Sequence, residues 1–89
     1  MYNIFKMVNE RLNLLLSKNN ENVYCKLDYY QDSSNIRVYK KENKIVKRLY
    51  IIDLFGLSHA TKMTNPNDLA MICYYVILKS IGGEINGIK

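Results

Sequence analysis

Two cysteines, one histidine and eight acids are the residues of this chain that could hold a metal, attack a carbonyl or move a proton. A zinc site takes four ligands when structural, or three and a water when catalytic. Cys25, Cys73 and His59 are the soft candidates, and no CxxC or HxxxH spacing pairs them. Each cysteine lies inside an apolar periodic segment and reads as a small core residue. A disulfide between them remains geometrically open. Ser58 and His59, with Asp53 or Asp68, supply the residue types of a hydrolytic triad, but geometry defines a triad, not composition. Phosphate-cradling loops need glycines ahead of a helix, and Gly56, Gly82, Gly83 and Gly87 open none. The carboxylates scatter over turns, helix starts and polar faces instead of pairing. No enzyme, metal or cofactor is implied.

The elements that would position any site follow from periodicity. Ile4, Val8, Leu12 and Leu15 recur at helical spacing over residues 3–18, with Phe5 and Leu16 widening the stripe. Asn3 suits the N-cap, and Lys6, Asn9, Glu10, Asn13 and Ser17 form the wet side. Lys18, Asn19 and Asn20 stop this helix. From Val23 the period becomes two, with Val23, Cys25, Leu27 and Tyr29 on one face and Tyr24, Lys26, Asp28 and Tyr30 on the other. Residues 31–35 form a polar loop, Ile36 to Tyr39 a second strand and residues 41–43 a turn. A third strand runs from Lys44 to about Phe55 and is apolar on both faces beyond Leu49. Such a strand needs cover at its free edge, from the C-terminal segment or from a partner. Residues 56–64 read as irregular. Asn65, Pro66 and Asp68 announce a second helix, which Gly82 and Gly83 would end. Its apolar residues occupy every side, as in a central core helix or an interface.

The charge is localised. Residues 37–48 hold Arg37, Lys40, Lys41, Lys44, Lys47 and Arg48 against Glu42, which accounts for the whole net charge of +5. Elsewhere seven cations meet seven acids. With Val23, Cys25, Leu27, Tyr29, Ile36, Val38, Leu49 and Ile51 turned to the core, the open face would show Tyr24, Lys26, Tyr30, Arg37, Tyr39, Arg48 and Tyr50. Together with Lys40, Lys41, Lys44 and Lys47 these are the candidate binding residues. Tyrosines among cations can anchor on an acidic protein surface, or stack bases while the cations neutralise phosphates. The same pattern also stabilises an ordinary solvated sheet, and lysines near an edge deter aggregation.

The order helix, three strands, helix is similar to that of the double-stranded-RNA-binding domain. That family places a lysine cluster at the start of its second helix. The matching stretch here is Lys62, Met63, Thr64, Asn65, Pro66, Asn67 and Asp68, and one lysine followed by an acid is the wrong field for phosphate. The similarity therefore reaches element order only. In size, in a composition rich in Asn, Lys, Ile and Tyr, and in element order, the chain also resembles small stand-alone accessory proteins of phages and other mobile elements, including some anti-CRISPR proteins. This resemblance implies a stoichiometric inhibitor that occupies another protein's working surface.

The sequence thus predicts an α+β fold of αβββα type, with both helices packed on one face of a three-stranded antiparallel sheet. Residues 1–83 form one domain and 84–89 a short tail. The expected function is non-enzymatic docking on a protein partner. Nucleic-acid binding through the basic hairpin is the alternative, and self-association through the third strand or the C-terminal helix a second alternative. The first apolar stretch, Met1 to Val8, contains Lys6 and lacks the form of a secretory leader. The longest apolar run, Leu69 to Leu78, is ten residues, whereas a membrane span takes roughly 20. A cytoplasmic location is expected, in the host cell if the protein is viral, where both thiols would stay reduced.

Overall fold

A computed structural model describes residues 2–19, 22–30 and 33–85, with Asn19 and residues 81–85 given by their backbone alone. The first helix, α1, spans Tyr2–Asn19 and buries Phe5, Val8, Leu12 and Leu16 in one row at helical spacing. Asn3 lies inside its first turn and is not the N-cap. The helix already begins at Tyr2, whose ring packs edge-on against Tyr29 with centroids 4.9 Å apart.

Strands β1 (Val23–Tyr29), β2 (Ser34–Glu42) and β3 (Ile45–Asp53) form an antiparallel meander in the order β1-β2-β3. The Lys41 N–H donates to the Asn22 carbonyl at 2.8 Å and extends the first ladder past the end of β1. Asn43 and Lys44 make the two-residue turn between β2 and β3 with φ of 48° and 69°. Positive φ at both central residues matches the right-handed twist of the strands, although a lysine pays a steric cost there that glycine would not.

The ladder between β2 and β3 is broken once. Val38 pairs with Tyr50 and Tyr39 with Arg48, so Leu49 is an extra residue. Such a bulge reverses the parity of everything that follows it. Tyr50 and Ile52 therefore share the core side with Val38 and Ile36, and Ile51 turns to the open face. Unbroken alternation would put Ile51 in the core and Tyr50 outside.

A third helix replaces the expected irregular segment. α2 spans Leu54–Thr61, capped by Asp53, whose Oδ1 accepts the Gly56 N–H at 2.9 Å. A Cβ on Gly56 would collide with that carboxylate, so the cap and the glycine belong together. Lys62, at φ 58°, closes the helix in the left-handed region. Asn65 then caps α3 (Pro66–Ile85) as expected, its Oδ1 accepting the Asn67 N–H at 2.8 Å. α3 continues through Gly82 and Gly83, each of which costs about 1 kcal/mol relative to alanine without stopping a long helix. The expected tail falls partly into this helix, and residues 86–89 lie outside the described residues.

α1 packs on β1 and on α3, and α2 packs on β2. All three helices contribute to a single buried cluster with Val23, Cys25, Ile36, Val38 and Ile52 from one face of the sheet. The α+β arrangement with helices on one face holds. α3 is not the all-round core element, however: Leu69, Ala70, Cys73 and Ile77 are buried while Met71, Tyr75 and Val76 are exposed.

Candidate functional site

The open face is organised as cross-strand rows. Tyr24 of β1 pairs with Tyr39 of β2, which pairs with Arg48 of β3, and Lys26, Arg37 and Ile51 form the adjacent row. Side chains directly opposite on one face are the unit of interaction in a sheet. Tyr24 and Tyr39 stack, with centroids 5.4 Å apart and an interplanar angle of 20°. The Arg37 guanidinium lies 5.6 Å from the Tyr39 ring centroid and forms an ion pair with Asp28. One end of the row is thus internally satisfied, and Arg48 at the other end is exposed.

The structure gathers Tyr24, Lys26, Arg37, Tyr39 and Arg48 on this face, as expected from alternation, and adds Lys41, which the sequence places in a turn but β2 carries in its ladder opposite Val46. It does not gather the rest. Tyr30 stands beyond the end of β1, exposed, in the connection where the Ser34 hydroxyl donates to its carbonyl at 3.2 Å. β1 ends one residue too early to carry it in a paired row. Tyr50 is half-buried against the core because the Leu49 bulge turned it inward. Lys44 occupies the turn. Lys40 and Lys47 face each other on the helix side of the hairpin, where Glu42 Oε1 lies 3.0 Å from Lys40 Nζ. The hydrogen bond from Lys40 and its charge, with a further contribution from Lys47, hold the Glu42 carboxyl below its ordinary range.

Beside these cations lies an exposed apolar group. Ile45, Val46 and Ile51 are 63%, 48% and 47% exposed along β3, which pairs with β2 on one side only among the described residues. A second apolar surface lies across the molecule, where Leu14 of α1 and Met71 of α3 border a groove of about 210 Å³ that Arg11 and Lys18 also line.

The chemistry-bearing residues do not assemble. Ser58 donates to the Phe55 carbonyl at 2.9 Å, and His59 Nδ1 lies 3.0 Å from the same oxygen with its ring stacked on Phe55. Asp53 is engaged as the cap of α2. All three are tied to local backbone and none to another. Among the described residues no three His, Cys, Asp or Glu side chains converge. Cys25 and Cys73 are both buried thiols. Burial pushes Cys25 up to about 12, with Cys73 adding to the effect, and burial pushes Cys73 up to about 11. At neutral pH neither offers the thiolate that nucleophilic or ligand chemistry needs.

Two residues that the α1 pattern puts on its solvated side have structural roles instead. Asn13 reaches the outer edge of β1, accepting the Cys25 N–H at 2.8 Å and donating to the Cys25 carbonyl at 2.9 Å. Asn9 accepts from the Cys25 thiol through its Oδ1 at 3.3 Å. The only trace of this in the sequence is two asparagines four apart beside the apolar stripe. Among the described residues no helix is long and apolar enough to cross a membrane. Comparison with family models, with curated proteins and with solved structures finds no match.

Proposed function

We propose that this protein is a small non-enzymatic binding protein that docks on a protein partner through the open sheet face and the adjoining β2–β3 hairpin. It would act as a stoichiometric inhibitor in the manner of phage and mobile-element accessory proteins. One observation carries the reading: exposed Ile45, Val46 and Ile51 lie among the exposed cations Lys41, Lys44, Lys47 and Arg48 on one hairpin and its edge. Apolar groups ringed by positive charge fit a protein surface with apolar contacts and an acidic rim.

The same geometry weighs against base stacking. Tyr24 and Tyr39 each cover one ring face of the other, and Arg37 is held by Asp28, which leaves Arg48 as the exposed cation beside the pair. A nucleic-acid platform needs free ring faces and unpaired cations in the same place.

The test is affinity capture from cells that contain the natural partner, with wild-type protein and the K41E/R48E variant. Capture of a protein in equimolar amount, lost in the variant at unchanged Tm, supports the reading. Capture unaffected by the charge reversal, or co-purification of nucleic acid seen as a raised 260/280 nm absorbance ratio, overturns it.

A further inference from the structure

The two edges of the sheet differ in how their backbone groups are used. Asn13 bonds both the N–H and the C=O of Cys25, so those groups point away from β2. In an antiparallel ladder the direction alternates from residue to residue. Val38, opposite Cys25, therefore turns its own groups toward β3. Tyr50 and Ile52, paired with Val38 and Ile36, face back to β2. Ile51 between them presents its N–H and C=O outward, and nothing among the described residues pairs with them.

We propose that this free edge of β3 takes an extended, acidic segment of a partner protein as a fourth strand. The inference rests on the binding-protein reading above and specifies its partner's chemistry. An unpaired edge is a template for any extended chain, and three features select among chains. The edge is nine residues long and is interrupted at the Leu49 bulge, so a partner strand pairs with it on one side of that residue, along Ile45–Arg48 or Tyr50–Asp53. Val46 and Ile51 flank Arg48 on the open face, offering apolar contact on either side of a cation. Lys44, Lys47 and Arg48 face a single acid, Asp53, along turn and strand. Basic segments are repelled and acidic ones attracted. A second copy of this chain would bring the same three cations to the contact, so the charge that admits an acidic strand also discourages self-pairing.

The experiment uses the intact protein and three blocked nine-residue peptides: one alternating Glu and Val, the same peptide N-methylated at alternate residues, and one alternating Lys and Val. Amide hydrogen exchange and chemical shifts of β3 are followed by NMR. The Glu/Val peptide should slow exchange at the Ile51 amide by about tenfold or more. N-methylation should abolish that protection, because it removes backbone donors and leaves the side chains in place. The K47E/R48E variant, altered only at exposed positions, should exchange preference to the Lys/Val peptide. Absent protection with the Glu/Val peptide, undiminished binding after N-methylation, or a free protein that is already dimeric with Ile51 protected would each overturn the inference. Should the peptide arm fail while K41E/R48E still loses partner capture, the partner sits on the face and not the edge. Should both fail, the binding-protein reading falls as well.

Discussion

At the edge formed by β1, a helix side chain stands in for the missing strand: the Asn13 amide pairs with Cys25 as a neighbouring peptide group would. At the edge formed by β3 no such stand-in exists among the described residues, and lysines, an arginine and three exposed apolar side chains line it instead. Both are solutions to the hazard of unpaired strand edges. The first occupies the backbone groups of Cys25, at the middle of the edge. The second leaves the backbone available and lets charge decide what approaches it. If the open edge works as proposed, the Asn13 contact and the recognition surface lie on opposite sides of the sheet.

Removing the stand-in should give the largest effect. Asn13→Ala leaves the Cys25 N–H and C=O without partners in a half-buried position, a loss of about 2 kcal/mol or more. Urea denaturation should show it as a lowered midpoint at unchanged slope, while Arg48→Ala, on the exposed opposite side, should stay within about 0.5 kcal/mol of wild type. Equal losses at the two positions would break the contrast.

The pH dependence of stability sharpens the same comparison. The folded-state thiols of Cys25 and Cys73 sit above their ordinary value of 9.0, at about 12 and about 11. Folding therefore favours the protonated form. That contribution is complete below pH 9.0 and is lost progressively as pH rises toward 11 and 12, because the unfolded chain releases its thiol protons first. Urea midpoints measured from pH 7.5 to 10.5 should fall at the alkaline end, and the fall should be smaller in Cys73→Ala compared with its own value at neutral pH.

The smallest effect belongs to the hairpin tip. Lys44, at φ 69°, occupies a conformation that glycine adopts freely, so Lys44→Gly should raise stability by roughly 0.5–1 kcal/mol. Thermal unfolding would register this as a modest rise in Tm. If the open edge works as proposed, the same change should slightly weaken capture of the Glu/Val peptide by removing one of its three cations.

Much of the scaffold was readable from local pattern. The α1 stripe, the alternation in β1 and β2 and the Asn65–Pro66 start of α3 each depend on neighbours in sequence, and each is where the residues placed it, whereas the turn expected at residues 41–43 lies at Asn43 and Lys44 because β2 continues to Glu42. α2 escaped notice because eight residues show too little periodicity and Gly56 reads as a breaker. Its meaning emerges only when Asp53 is seen as a cap rather than as the middle of a strand.

The candidate surface divides in the same way. That the positive excess lies in residues 37–48 follows from counting, and that Tyr24, Lys26, Arg37, Tyr39 and Arg48 share a face follows from period two. Which face Tyr50 and Ile51 occupy did not follow, because one bulged residue at Leu49 reverses every later position and leaves no mark in composition. Nor could the sequence tell the two sheet edges apart: the amide that bonds to the middle of one of them is twelve residues distant along the chain, and only the docking of α1 on β1 brings it there. Local pattern determined the elements and their charge. Long-range packing decided which edge remained open.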